Sequence, residues 1–172
     1  MDLQQVLRND HSKAGIDKVI RWVGDSQLRF DELFNLFTGQ DNRLAQVSGW
    51  PVSYCTAAHP GFIGKHWKKL LANLDRPGIH DAIKRNTYRL LQDVPIPEKY
   101  QGEVMNRCFE SILAPAEKPA IKAFALTVLD NLSSKWPEIR NELKTSIETL
   151  WEYESPAFRA RARKILAGRP SR

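Results

Sequence analysis

A chain of 172 residues with 42% apolar and 27% charged side chains can bury one substantial core and is too apolar to be a disordered tail. Its start, Met1-Asp2-Leu3-Gln4-Gln5, lacks the basic and apolar regions of a secretory signal, and its longest apolar run, residues 123–129, is too short to span a bilayer. A soluble, cytoplasmic protein without a membrane partner is expected. The formal charge of +6 is a local excess: from residue 155 onward Arg159, Arg161, Arg163, Lys164, Arg169 and Arg172 stand with no acid, and the rest of the chain is neutral.

Alternating strand patterns and hairpin dipeptides are nearly absent, and apolar spacings of three and four dominate. After a short amphipathic start at Leu3, Val6 and Leu7, Ser12 is placed to cap a helix carrying Ile16, Val19, Ile20 and Val23, which Gly24 ends. Ser26 caps the next, with Leu28, Phe30, Leu33, Phe34 and Phe37 before Gly39. Asp41 or Asn42 caps a third, bearing Leu44, Val47, Ser48, Val52 and Cys55. Pro51 inside it removes one backbone donor, so a bend near residues 47–50 is expected, with the helix continuing beyond. His59-Pro60 marks a turn, and Phe62, Ile63, Trp67, Leu70, Leu71 and Leu74 form the stripe of one partner helix up to the break at Arg76-Pro77-Gly78.

Two further helices over 79–91 and 97–113 flank Val94-Pro95-Ile96-Pro97, the second with Tyr100, Val104, Cys108 and Ile112 as its core stripe. Residues 120–151 read as two helices around Lys135-Trp136-Pro137, and Ser155-Pro156 opens a last helix before 168–172, where fraying is expected. Cys55 and Cys108 fall in apolar patterns without a CxxC pair, which predicts buried free thiols.

Laid over one another, the first helices of these hairpins align. Leu44, Ile83, Ile121 and Phe158 form one column; Ser48, Thr87, Ala125 and Ala162 form a column of small residues four later; Val52, Leu91, Leu129 and Leu166 form an apolar column eight later. The successive offsets are 39, 38 and 37 residues, and Pro60, Pro97 and Pro137 mark the hairpin turns in phase. This self-similarity resembles the HEAT and armadillo-like helical repeat families over nearly the whole chain. The resemblance implies an all-α protein built as a HEAT-like α-α superhelix, a short right-handed α-solenoid of about four and a half hairpins whose second helices line a concave face. One domain over 1–172 is expected, with hairpins at about 12–38, 41–74, 79–113 and 118–151 and a terminal half-unit at 155–168.

For function, the resemblance implies a non-enzymatic scaffold that binds a partner protein or peptide along the solenoid groove. Candidate partner-binding residues are Lys65, Lys68, Asn106, Arg107, Arg140, Asn141 and Lys144, where a basic stretch at 65–69 and an acidic one at 138–152 suit a partner of mixed polarity. The alternative is nucleic-acid binding in the manner of the DNA alkylation repair HEAT-like proteins, through Lys65, Lys68, Lys69, Lys84 and Arg85, with Lys84, Lys122 and Arg159 stacked as an outer ladder. That family sets an Asp one helical turn from a Trp to stabilise a cationic sugar. Here the position after Trp50 is filled by Tyr54, and Asp25 after Trp22 lies at a helix end, so the charge such catalysis needs has no donor. HExxH, P-loop, GxGxxG and GxSxG patterns are missing, and Pro60 interrupts the only spaced ligand set, Cys55, His59 and His66. No catalytic residue, cofactor or metal is expected.

Overall fold

A computed structural model describes residues 1–168. Among the described residues the chain is helical throughout, with no strand and no helix long and apolar enough to cross a membrane. Residues 169–172, with the expected fraying and the cations Arg169 and Arg172, lie outside them. Two compact units divide the chain, Met1–Pro95 and a second beginning at Ile96, at the Pro95 and Pro97 connector.

The first unit contains α1 (Leu3–Asn9), α2 (Lys13–Val23), α3 (Gln27–Phe37), α4 (Asn42–Ala58), a 3₁₀ turn (Pro60–Ile63), α5 (Trp67–Asn73) and α6 (Asp81–Leu91). Its starts follow capping chemistry: Asp2, Ser12, Ser26 and Asp41 accept backbone N–H bonds from the first turns of α1 to α4. Asp41, and not Asn42, is the cap, at 3.0 Å from the Leu44 amide. Gly24 ends α2 at φ 52°, a left-handed conformation that glycine adopts without steric cost.

Helix α4 is the hub, packed against α1, α2, α3, the 3₁₀ turn and α6. It runs through Pro51 without stopping. Gly49 is required by close approach: a Cβ there would sit 2.7 Å from Asn86 Nδ2 on α6 and 3.0 Å from the Phe37 ring. Phe30, Leu33, Phe34 and Phe37 of α3 are all fully buried beneath it, each contributing about 1.5 to 3 kcal/mol relative to exposure. Two expectations fail in this unit. Leu28, read as part of the α3 stripe, is 81% exposed, two positions before Phe30 and on the opposite side of the helix. Residues 62–74 form two pieces instead of one helix, because Pro60, Gly61 and Gly64 favour the short i→i+3 bonds seen from Phe62 N to His59 O and from His66 N to Ile63 O.

The second unit contains α7 (Glu98–Leu113), α8 (Pro119–Ser133), α9 (Glu138–Leu150) and α10 (Pro156–Leu166), with α8 packed against the other three. Trp136, in the turn after α8, donates Nε1–H to Gln101 Oε1 at 2.8 Å and ties that turn to α7. The stacked ladder of Lys84, Lys122 and Arg159 fails at its middle member. Lys122 is only 3% exposed and forms an ion pair with Glu154 just before α10, so its charge is not presented to solvent.

The three columns of the repeat have a physical basis in burial. Leu44, Ile83, Ile121 and Phe158 are buried, and Ser48, Thr87, Ala125 and Ala162 are fully so. The two hydroxyls in the small column turn back onto the first, Ser48 Oγ donating to Leu44 O at 2.6 Å and Thr87 Oγ1 to Ile83 O at 3.0 Å. A small residue here lets neighbouring helices approach while its polar atom stays satisfied. Leu166 departs from the third column at 38% exposure, at the end of the last helix.

Candidate partner-binding surface

Helix α7 buries Gln101, Val104, Cys108, Ser111 and Ile112, and the next face round stays open. That face carries Gly102, Met105, Asn106, Phe109, Glu110 and Leu113, at spacings of three and four, and with Ile139 and Glu142 of α9 it lines a groove of about 360 Å³. Leu113 is 51% exposed. Glu110 and Glu142 form no ion pair among the described residues. A Cβ on Gly102 would meet nothing within 4 Å, so no packing contact accounts for a glycine inside this helix, where it costs about 1 kcal/mol relative to alanine.

Of the seven residues expected at the partner surface, only Asn106 lines this groove. Arg107 forms an i,i+4 pair with Glu103 at 2.9 Å, Arg140 lies 3.5 Å from Asp130, and Asn141 and Lys144 are exposed on α9. Lys65 and Lys68 belong to the first unit. The residues that shape the groove were legible as a second stripe on α7, Met105, Phe109 and Leu113 at strict intervals of four, one position beyond the core stripe of Val104, Cys108 and Ile112.

The basic residues of the first unit are partly spoken for. Lys65 Nζ contacts Asp31 Oδ2 at 2.5 Å and Lys69 Nζ donates to Asn35 Oδ1 at 2.8 Å, while Lys68 is exposed with no ion pair among the described residues. Lys84 is half-buried on α6, and Arg85 beside it is exposed. Asp31 is the organising group, because His66 Nε2 lies 2.6 Å from Oδ1 and Gln27 donates to the same oxygen at 2.8 Å. Burial pushes its carboxyl up, but the bonds from Lys65, Gln27 and His66 outweigh that and hold it at about 2. His66 also stacks on Phe34 at 4.3 Å between centroids, and Trp67 is buried as expected from its stripe.

On α4, Trp50 and Tyr54 present their rings together, 6.0 Å apart, with the Arg89 guanidinium 5.8 Å from the first and 4.9 Å from the second. Arg89 Nη2 donates to Tyr54 Oη at 3.2 Å. A bond from Trp50, together with the Arg89 charge, holds the phenol below its usual range against the opposing effect of burial. The position where the alkylation repair proteins carry a carboxylate is thus part of a cation–aromatic cluster. Cys55 and Cys108 are buried free thiols, burial pushing Cys55 up to about 12 and Cys108 up as well. His59 stacks on Phe62 and His80 caps α6, accepting from the Ala82 amide.

In the basic run of the last helix, Arg161 donates to Thr127 Oγ1 of α8 and Arg163 lies 5.4 Å over the Trp151 ring. Part of that charge is therefore directed to the protein itself.

No match was found to a curated protein or to a solved structure. The family model described as HEAT repeat domain matches residues 3–169, and proteins with HEAT repeats commonly mediate protein interactions. The buried columns, the hydroxyls folded back within them and this match over nearly the full length lead to one conclusion: the chain belongs to the HEAT repeat family.

Proposed function

We propose that this protein is a non-enzymatic, cytoplasmic interaction module that holds an amphipathic helical segment of a partner protein in the α7–α9 groove. The observation that carries the reading is the groove lined by half-buried Met105, Phe109 and Ile139 and exposed Leu113, with Glu110 and Glu142 also lining it. Apolar anchors at helical spacing suit a helix laid into a groove. The two unpaired carboxylates at its edge favour lysine or arginine flanking the partner's apolar stripe. Gly102 supports the same reading, since its missing side chain leaves the end of the groove open.

The test is fluorescence anisotropy with a labelled helical peptide carrying leucines at i, i+4 and i+7 and flanking lysines, beside a copy with glutamates in place of the lysines. The basic peptide is expected to bind at least ten-fold tighter than the acidic one, and Gly102→Trp or Phe109→Ser is expected to weaken it at least ten-fold. Equal affinity for both peptides, or binding indifferent to Gly102→Trp, rejects the groove. Duplex or single-stranded DNA that binds with a steep salt dependence, lost on Lys68→Glu and Lys69→Glu, replaces this reading with the nucleic-acid one.

A further inference from the structure

A separate pocket lies in the first unit, lined by residues of α1, α2, α4 and α6 and of the α1–α2 turn. Leu7, Ile16, Val47 and Trp50 form its apolar walls, and Asp10, His11 and Arg85 are among its polar lining residues. Its volume is about 140 Å³. A cavity of about 150 Å³ accommodates a benzene-sized body, so the space suits one small side chain and not a drug-sized or polymeric ligand.

Three features make this a built site and not a packing defect. Trp50, 39% exposed, has the Tyr54 ring 6.0 Å and the Arg89 guanidinium 5.8 Å from its own ring, neither of them a pocket-lining residue, so contacts outside the pocket favour this position of the aromatic wall. Pro51 has no N–H to offer the Val47 carbonyl, which leaves an acceptor without its usual helical partner on a pocket-lining turn. The charges are of both signs and divided between elements. Asp10, from the α1–α2 turn, uses Oδ1 to accept from the Ser12 amide at 3.0 Å and from the Ser12 hydroxyl, so Oδ2 is available. Arg85 on α6 makes no ion pair among the described residues. Arg43 lies against the His11 ring, 3.2 Å from each nitrogen, and adds positive charge at the same edge.

A round pocket of this volume is roughly 6 Å across, so one small molecule seated in it comes near both Asp10 and Arg85, which line it. We infer that the pocket takes the side chain of a free α-amino acid of leucine or phenylalanine type between Ile16, Val47 and Trp50, with the ammonium and carboxylate left at the exposed rim, toward Asp10 and Arg85 respectively. Each charge then meets one of opposite sign at the exposed rim, where Asp10 and Arg85 stand, and the side chain is exchanged from water to an apolar wall. The site belongs to the first unit, so it is independent of the α7–α9 groove.

Isothermal titration calorimetry on the full chain tests it with L-phenylalanine, L-leucine, phenylacetate, phenethylamine and glycine. The expected result is saturable binding of the first two, with each of the last three at least ten-fold weaker because a charge or the apolar body is missing. Arg85→Gln is expected to weaken L-phenylalanine at least ten-fold and leave phenethylamine unchanged, and Asp10→Asn, which retains the bond to Ser12, to do the reverse with phenylacetate. Val47→Trp, with its helical circular dichroism checked against wild type, is expected to abolish binding by filling the pocket. No saturable heat with either amino acid overturns the inference. So does phenylacetate or phenethylamine binding as tightly as L-phenylalanine, or a folded Val47→Trp variant that still binds.

Discussion

The ion pair between Lys122 and Glu154 is nearly closed off from water in the second unit. Lys122 is 3% exposed and Glu154 9%, so neither group recovers hydration if the other is removed. Breaking a buried pair from one side costs about 3 to 5 kcal/mol, because it strands a desolvated charge. Lys122→Met and Glu154→Gln are each expected to lose stability in that range, measured by urea denaturation with far-UV circular dichroism. For a chain of this size that corresponds to a fall in melting temperature of about 10 °C. Replacing both, as Lys122→Met with Glu154→Leu, removes the charges together and is expected to fall within about 2 kcal/mol of wild type. Glu154 immediately precedes Ser155, the cap of α10, so hydrogen exchange in the single variants is expected to speed up first in α10. Less than about 1 kcal/mol lost in either single variant, or a double variant as unstable as the sum of the singles, refutes the reasoning.

Other expectations follow from named contacts. Asp31 is held at about 2, below the unfolded value near 3.9, so its contribution is present above pH 4 and lost as pH falls toward 2. With the side chain 18% exposed, Asp31→Asn is expected to cost about 1 to 2 kcal/mol at pH 7, and the two proteins are expected to converge near pH 2 in acid-unfolding titrations. Gly49→Ala forces a Cβ to within 2.7 Å of Asn86 Nδ2 and is expected to lose about 1 to 3 kcal/mol by denaturation. Gly102→Ala meets open space and is expected to gain about 0.5 to 1 kcal/mol in the same assay. Cys55 and Cys108 are expected to resist a thiol reagent in the native protein and to react together in urea, since burial raises both thiols.

The fold was legible because repeat packing writes itself into spacing. Ile83, Thr87 and Leu91 must face inward on one helix, and a period of 3.6 allows only a few positions to do so. Capping residues were readable for the same kind of reason: Ser12, Ser26 and Ser155 satisfy amides three residues on, a purely local requirement. Long-range pairing left no such trace. Lys122 read as a surface cation because nothing near it in sequence reveals Glu154, thirty-two positions later. Lys65 likewise gave no sign that Asp31 on α3 would meet its charge.

The groove on α7 follows from the same logic seen from outside. A helix in a two-layer repeat needs one apolar face, and α7 has that face in Val104, Cys108 and Ile112. Met105 and Phe109, both half-buried, and Leu113, 51% exposed, make a second stripe beyond the core one, and hydrophobic surface left toward water is unfavourable unless something covers it. A glycine at position 102, which lowers helix stability without relieving any contact, points the same way: two departures from the packing rule lie on one face of one helix. In the first unit Pro51 and Trp50 depart from the rule on α4, and Trp50 lines the other pocket. In a fold specified by repetition, specificity has to come from positions that break the repeat, and in this chain those positions collect at two sites.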